Sequence, residues 1–360
     1  MPVGLWLSES AIAELGDESP SCISATKAFG DWLTDRGLDP FTFNGFPLGN
    51  FHQEIVKHDV YLPTWASTQR LEYTKKLAVV QSMLLRQAGQ QPTFQTISTL
   101  PLGWPPVPKE SLFEQGQEFL RQCAGNLHRL VAFLVNLKRE SGNHVMVCIE
   151  PEPGCVFDTC HDIVRFFREY LFDCPADLVD QTMDHIGICH DVCHSAVMFE
   201  DQEVAVLAYK EAGIRIGKVQ VSSAIKVNFD ESGSDQTKLQ QLAQFSEPRY
   251  LHQTSIRNRG ESAFFEDLNL ALQAEPDPAG QWRVHFHVPI FAERLGEIET
   301  TQSDIVAFMD AVKKHAMDIP HFEVETYAWN VLPEAHQGVA NDLASGIAEE
   351  MNWFRQVCCG

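Results

Sequence analysis

Short apolar runs alternate with stretches of helical periodicity along nearly the whole chain, and this alternation restricts the fold more than any other feature. The runs are Val3–Leu7, Phe41–Phe46, Phe94–Leu100, His144–Glu150, His185–Asp191, Ile216–Ser223, Trp282–Val288 and Phe322–Trp329. Helical spacing of apolar residues fills Ser24–Arg36, Ser67–Gln87, Ser111–Arg139, Asp158–Phe172, Gln202–Ala212, Ser303–His315 and Glu334–Gln356. Helices that keep returning the chain to parallel strands build either an open doubly wound sheet or a closed (β/α)8 barrel. Open sheets that carry nucleotides have a glycine-rich turn after the first strand, and neither G-x-G-x-x-G nor G-x-x-x-x-G-K-[ST] occurs here. The expected fold is therefore an α/β protein with a (β/α)8 barrel, one domain over 1–360. Residues 224–281 break the rhythm with the polar stretch Asn228–Lys238, an extra strand signal at Tyr250–Ile256 and the turn-rich Ala274–Gly280. This segment reads as an insertion over the barrel mouth.

Composition removes several function classes. The formal net charge of −22, from 49 acidic and 27 basic residues, repels nucleic acid and anionic lipid. No apolar run approaches the ~20 residues of a membrane span, and the opening Met-Pro-Val-Gly-Leu-Trp-Leu lacks the basic region of a signal peptide. The expectation is a cytoplasmic protein, neither inserted in a membrane nor bound to nucleic acid. The ten cysteines are scattered, and Cys148 and Cys189 fall inside apolar runs, which reads as reduced thiols.

Four runs end in residue types that bind metals: Glu150, Asp191 with His194, His287, and Glu325. A barrel strand sends alternate side chains inward to the core and outward to the helices. In Val145-Met146-Val147-Cys148-Ile149-Glu150 the β-branched residues take one parity, so Glu150 points inward with Met146 and Cys148. The same phase places Asp191, His285, His287 and Glu325 inward, and Gln220 takes it on Ile216–Ser223. Inward carboxylates are costly to bury unpaired, and few Lys or Arg residues lie near these strand ends. A divalent metal satisfies such a cluster. Mixed Glu, Asp and His ligands suit Mn, Mg, Co, Fe or Zn, and the sequence does not choose among them. Pro151, Pro153 and Gly154 stop the fourth run sharply, which displays Glu150 and Glu152 at the rim.

These residues resemble the xylose-isomerase-like TIM barrels, the sugar-phosphate isomerase/epimerase and endonuclease-IV-like superfamily. Within it the chain is most similar to EboE-type metabolite-traffic proteins, through Phe-Asn-Gly-Phe-Pro (43–47), Ser-Thr-Leu-Pro-Leu-Gly-Trp (98–104), Glu-Pro-Glu-Pro-Gly (150–154), Asp-Val-Cys-His (191–194), Gly-Lys-Val-Gln-Val-Ser-Ser (217–223), His-Phe-His-Val-Pro (285–289) and Glu-Val-Glu-Thr-Tyr (323–327). The resemblance implies Glu150, Asp191 and Glu325 as metal ligands with His194 beside them. It also implies a role in maturing or exporting a small secondary metabolite, alongside pathway proteins that include a membrane prenyltransferase-like partner. Two departures stand out. Gln220 occupies the place where isomerases put a liganding His, so either His252, His285 or His287 replaces it or the metal site is altered and the ordinary isomerase activity does not follow. Relatives begin with one more strand, so a gap or exposed edge near Val3–Leu7, or a differently closed barrel, is expected.

The leading functional expectation is a metal-dependent isomerase, epimerase or lyase acting on a small polyhydroxylated or keto metabolite. The metal set is Glu150, Asp191, His194, His287 and Glu325. Glu150 and Glu325 are the proton acceptor and donor on opposite sides of the substrate carbon. His52, Glu152, Lys218, Gln220, His252 and His285 are the expected substrate contacts. The competing class is a non-catalytic carrier or partner protein using the same pocket.

Overall fold

The computed structural model describes residues 1–16, 19–49, 53–87, 94–230, 235–275, 278–325, 329, 332–333 and 342–359. Seven parallel strands form one sheet in the order β1 (Pro2–Trp6), β2 (Asp39–Asn44), β3 (Phe94–Thr99), β4 (His144–Ile149), β5 (Ile186–Asp191), β6 (Ile216–Val221) and, last in chain order, β13 (His321–Val324). Helices Pro20–Asp35, Thr68–Gln87, Gln117–Ser141, Ala176–His185 and Gln202–Glu211 fill the crossovers. The α/β barrel of the sequence reading is present, with seven strands where eight were expected. Among the described residues β1 and β13 share no ladder, so the ring is nearly closed. Its seam lies at the edge foreseen for Val3–Leu7. Polar side chains bridge that seam, with Asn44 Nδ2 donating to the two carboxylate oxygens of Glu323 at 3.2 and 3.3 Å.

Strand parity explains the two layers of packing. Val145, Val147 and Ile149 face outward and pack with Leu127, Leu130 and Val131 of the long helix before β4, in the main core. Met146, Cys148 and Cys189 turn inward and form their own cluster inside the barrel. Gly217 on β6 makes room for them, because a Cβ there would lie 2.7 Å from both Cys148 Sγ and Met146 Sδ.

Two readings of the sequence need correction. Trp282–Val288 is not a barrel strand. Its first part is β10 (Gly280–Val284), which pairs antiparallel with β7 (Ile225–Phe229) and β8 (Thr254–Asn258). The six-stranded antiparallel sheet also holds β9 (Glu261–Phe265), β11 (Arg294–Leu295) and β12 (Ile298–Thr300). The inserted sheet therefore runs from Ile225 to Thr300, longer than the 224–281 read from composition. Alternation alone could not tell a parallel barrel strand from an antiparallel one with one face on a second core. That second core exists, with Val227, Leu242, Phe245, Trp282, Val284 and Phe286 buried in it. The chain then re-enters the barrel through helix Gln302–Lys314, and β13 pairs directly with β6. The final helix is Leu343–Cys359, and the sequence-predicted start of it near Glu334 lies outside the described residues. No described helix is long and apolar enough to cross a membrane.

Candidate functional site

The C-terminal ends of the barrel strands open into a cavity of about 320 Å³, within the ~300–1,000 Å³ of small-molecule sites. Glu150 follows β4 and is held there by its amide, which donates to Thr99 O at 2.9 Å. Asp191 ends β5 and caps the short helix Val192–Val197, its Oδ1 accepting from the His194 amide at 3.0 Å and from the Ser222 hydroxyl at 2.7 Å. The Asp-x-x-His spacing is thus a helix cap that lays the His194 ring beside the carboxylate that starts the helix.

The inserted sheet supplies the other imidazoles. Beyond β10 the chain stays extended, so His285 and His287 share one face while Phe286 takes the other. Phe286 is buried in the insertion core, against Phe245 and the ring of His252. His285 and His287 consequently turn toward the barrel mouth.

Three Nε2 atoms converge there. His285 Nε2 lies 3.2 Å from His194 Nε2 and 3.2 Å from His287 Nε2. The other ring nitrogens fix what these atoms are. His194 Nδ1 donates to the Pro151 carbonyl oxygen at 2.9 Å. His285 Nδ1 donates to Gln253 Oε1 at 2.7 Å, and the Gln253 amide nitrogen donates to Glu152 Oε1 at 3.1 Å and to Tyr61 Oη at 2.9 Å. The Tyr61 hydroxyl in turn donates to Glu152 Oε1 at 2.8 Å. Because the Glu152 carboxylate accepts from Gln253, the amide oxygen must face His285, which leaves His285 Nε2 a bare lone pair. His287 has its Nδ1 3.3 Å from Glu325 Oε2, which aims its Nε2 inward. Asp191 Oδ2 is buried 3.8 Å from His194 Nε2 and makes no hydrogen bond among the described residues.

Lone pairs facing one another across 3.2 Å repel unless a cation lies between them. For metal–nitrogen bonds of about 2.0–2.1 Å, tetrahedral ligands stand about 3.3 Å apart, so the two 3.2 Å spacings suit neighbouring ligands of one ion, and Asp191, His194 and His287 together, like Glu152, His194 and His285, place ligand atoms within 4.8 Å of one another. A shared proton is the alternative occupant of the same point. Burial alone would lower His194, but Asp191, Glu152 and Glu150 raise its proton affinity above the usual histidine range. Burial, aided by His194, pushes His285 well below that range, and burial holds His287 at about 4. Burial would raise Asp191, yet His194, His287 and the Ser222 hydrogen bond keep it below the usual carboxylate range. Either way the point draws positive charge.

The two expected acid–base groups flank this cluster. Glu150 Oε1 is 4.0 Å from His194 Nδ1, on the side of that ring turned away from the other imidazoles. Burial, with repulsion from Asp191 and Glu152, raises the Glu150 carboxyl to about 7 against the pull of His194. Burial raises Glu325 well above the usual range, helped by Asp191 and Glu150.

The structure brings Glu150, Glu152, His194, Gln220, His285, His287 and Glu325 to the cavity wall. His285, expected as a substrate contact, instead aims at the imidazole cluster. His252 does not line the cavity; its Nδ1 donates to the His285 carbonyl oxygen at 2.9 Å and its Nε2 lies 3.0 Å from Glu247 Oε1, so it braces the histidine strand. Lys218 is fully buried in the barrel, 2.5 Å from Glu323 Oε2, and is not among the described residues that line the cavity. His52 lies outside the described residues. Tyr61 and Gln253 went unseen in the sequence. Tyr61 carried no signal there, whereas Gln253 directly follows the flagged His252.

Fold and site together define an α/β barrel with a buried imidazole–carboxylate cluster at its C-terminal mouth. No protein-family profile and no curated protein matches the chain. Among solved structures it is similar to the probable 3-DHS dehydratase AsbF involved in petrobactin synthesis from Bacillus anthracis, at 12% identity and TM-score 0.35, covering 77% of this chain and 78% of that one. It is also similar to SacUVDE, at 11% identity and TM-score 0.33, covering 94% and 91%. Likenesses this distant carry no argument about chemistry, and the architecture stands on the strand order.

Proposed function

We propose that the chain is a metal-dependent enzyme of the isomerase, epimerase or lyase type, acting on a small polyhydroxylated or keto metabolite. The observation that carries this reading is the convergence of His194, His285 and His287 Nε2 atoms beside the orphaned Asp191 Oδ2. These four residues would hold the ion, with Glu150 and Glu325 beside them instead of in the ligand set read from the sequence. A divalent ion held by these residues would polarise adjacent substrate oxygens and so acidify the carbon between them. The remaining work belongs to the protein. Glu150, with a carboxyl near half-protonation at neutral pH, accepts a proton from substrate carbon at its carboxylate. Glu325, whose carboxyl burial, Asp191 and Glu150 raise above the usual range, returns one. Gln220 Oε1 is buried without a hydrogen-bond partner and accepts from a substrate hydroxyl. The finer expectation, a metabolite maturation or export route with a membrane prenyltransferase-like partner, is supported by the sequence resemblance alone.

Elemental analysis of purified wild type and of the Asp191→Asn, His285→Ala and His287→Ala variants tests the site. The expected result is about one equivalent of a divalent ion in the wild type and a small fraction of that in each variant. Undiminished metal in all three folded variants refutes the site.

A further inference from the structure

The charges around the cavity bear on what can enter it. Four carboxyl groups line it, those of Glu150, Glu152, Glu323 and Glu325, and Asp191 lies just behind. Only one cationic side chain, Lys57, joins them among the described lining residues, and it is paired with Asp267. Lys218 beneath the floor is fully buried and held by Glu323 and by Asn44 Oδ1 at 2.6 Å. No arginine is among the described residues that line the cavity. A phosphate or carboxylate entering here would find crowded carboxyls and no fork of donors to replace its water shell.

The lining is also divided by depth. Inward strand residues such as Asn44, Ser98 and Gln220 make a polar floor. Trp6, Phe46, Val56, Val60, Tyr250 and Leu251 come from strand ends and loops and make an apolar wall. The two loops that bear most of this wall are tied together, as the Val56 and Lys57 amides both donate to the Arg249 carbonyl oxygen at 2.8 and 3.1 Å. The wall is therefore built into the fold.

We infer that the site takes an uncharged amphiphilic ligand, with a vicinal-diol or α-hydroxycarbonyl head between the imidazole–carboxylate cluster and the polar floor and an apolar substituent of several carbons against the wall. The orientation of the head rests on the proposed function. The selection against anions, read in the chelated protein where no ion sits at the imidazoles, and the preference for an apolar substituent rest on the lining alone.

The test uses 1,2-propanediol, 1,2-butanediol and 1,2-hexanediol as probes, with glycerol and glycerol 3-phosphate as competitors, in ligand-detected NMR of the full chain. Protein is measured as purified and after chelation. Affinity rises up to about fourfold per added methylene if the chain is fully buried. That gain is lost in both Trp6→Ala and Leu251→Ala, each checked for folding by circular dichroism, and glycerol 3-phosphate competes at least about tenfold more weakly than glycerol. A flat chain-length series, no binding of any diol, or effective competition by glycerol 3-phosphate overturns the inference. A chain-length gain in protein that never holds metal upholds it and refutes the proposed function. A flat series in protein with a stoichiometric ion refutes it and leaves the proposed function standing.

Discussion

The buried pair inside the barrel offers the sharpest stability test. Lys218 has no exposed side-chain surface and Glu323 only 14%, and their 2.5 Å contact lies in the barrel interior. Asn44 completes the network, with Oδ1 accepting from Lys218 at 2.6 Å, from Gln220 at 3.1 Å and from Ser98 at 3.1 Å. Lys218→Met keeps the volume but leaves the Glu323 carboxylate with the Asn44 amide as its remaining donor. Breaking a buried pair on one side costs about 3–5 kcal/mol, whereas replacing both members with apolar residues is often nearly neutral. With an m-value of about 3 kcal/mol/M, at the upper end for urea, the single variant should lose at least about 1 M in midpoint. Urea unfolding followed by tryptophan fluorescence on wild type, Lys218→Met, Glu323→Met and the double variant supplies the full cycle. The expected coupling is about 3 kcal/mol or more, with the double variant more stable than either single one. A Lys218→Met protein within about 1 kcal/mol of wild type, or a double variant that merely sums the two losses, refutes the reasoning.

Three further outcomes follow from the same interior. His321 donates to or accepts from Thr96 Oγ1 at 2.7 Å, and burial, with Lys218 and Arg215, lowers it to about 4. A histidine depressed on folding leaves stability intact above its unfolded value near 6.5 and loses it as pH falls through about 4, by up to about 3 kcal/mol. His321→Gln should flatten that part of the urea-midpoint profile between pH 7 and 4.5, and an unchanged slope contradicts the assignment. Gly217→Ala should cost about 1–3 kcal/mol by overpacking Met146 and Cys148, read as a lowered Tm; a neutral result would mean the interior yields more than its contacts imply. Gln253→Leu removes the acceptor that fixes the His285 tautomer, and metal affinity in a competition titration with a chromogenic chelator should fall about 10–100-fold. Unaltered affinity would show that the Glu152–Gln253 link does not position the ligand.

The barrel was legible because its strands are buried on both faces with opposite chemistry: Val145, Val147 and Ile149 outward, Met146, Cys148 and Glu150 inward. That contrast survives in the sequence without any partner strand. The same parity placed Asp191 and Glu325 at the mouth. It failed for Trp282–Val288, where Trp282, Val284 and Phe286 are apolar because they face the insertion core and not the barrel helices. His285 and His287 still reach the site, since an extended segment with one buried face must present the other to something. Parity gives Glu150 an inward direction, but a strand end does not fix which side of the His194 ring its carboxylate faces. The hydrogen bond from His194 Nδ1 to Pro151 is what puts Glu150 on the far side of that ring, and no local pattern encodes it.

The placement of the imidazoles ties the candidate site to the insertion. Only His194 belongs to the barrel; His285 and His287, together with Gln253, are carried by a sheet with its own hydrophobic core. That sheet is joined to the barrel at the mouth by Val288 N to Ser223 O at 3.0 Å, Thr301 N to Ala224 O at 2.9 Å and Ala224 N to Thr301 Oγ1 at 2.8 Å. His285 Nε2 lying 3.2 Å from both His194 Nε2 and His287 Nε2 is unfavourable without a cation, so the apposition of the two cores opposes itself until positive charge arrives. A cation at the cluster would then favour the docked arrangement over any opening of the insertion, by the ordinary linkage between ligand binding and the state that binds it. Gln220 on β6 brings an amide to the cavity, and the inserted sheet brings the two imidazoles of His285 and His287.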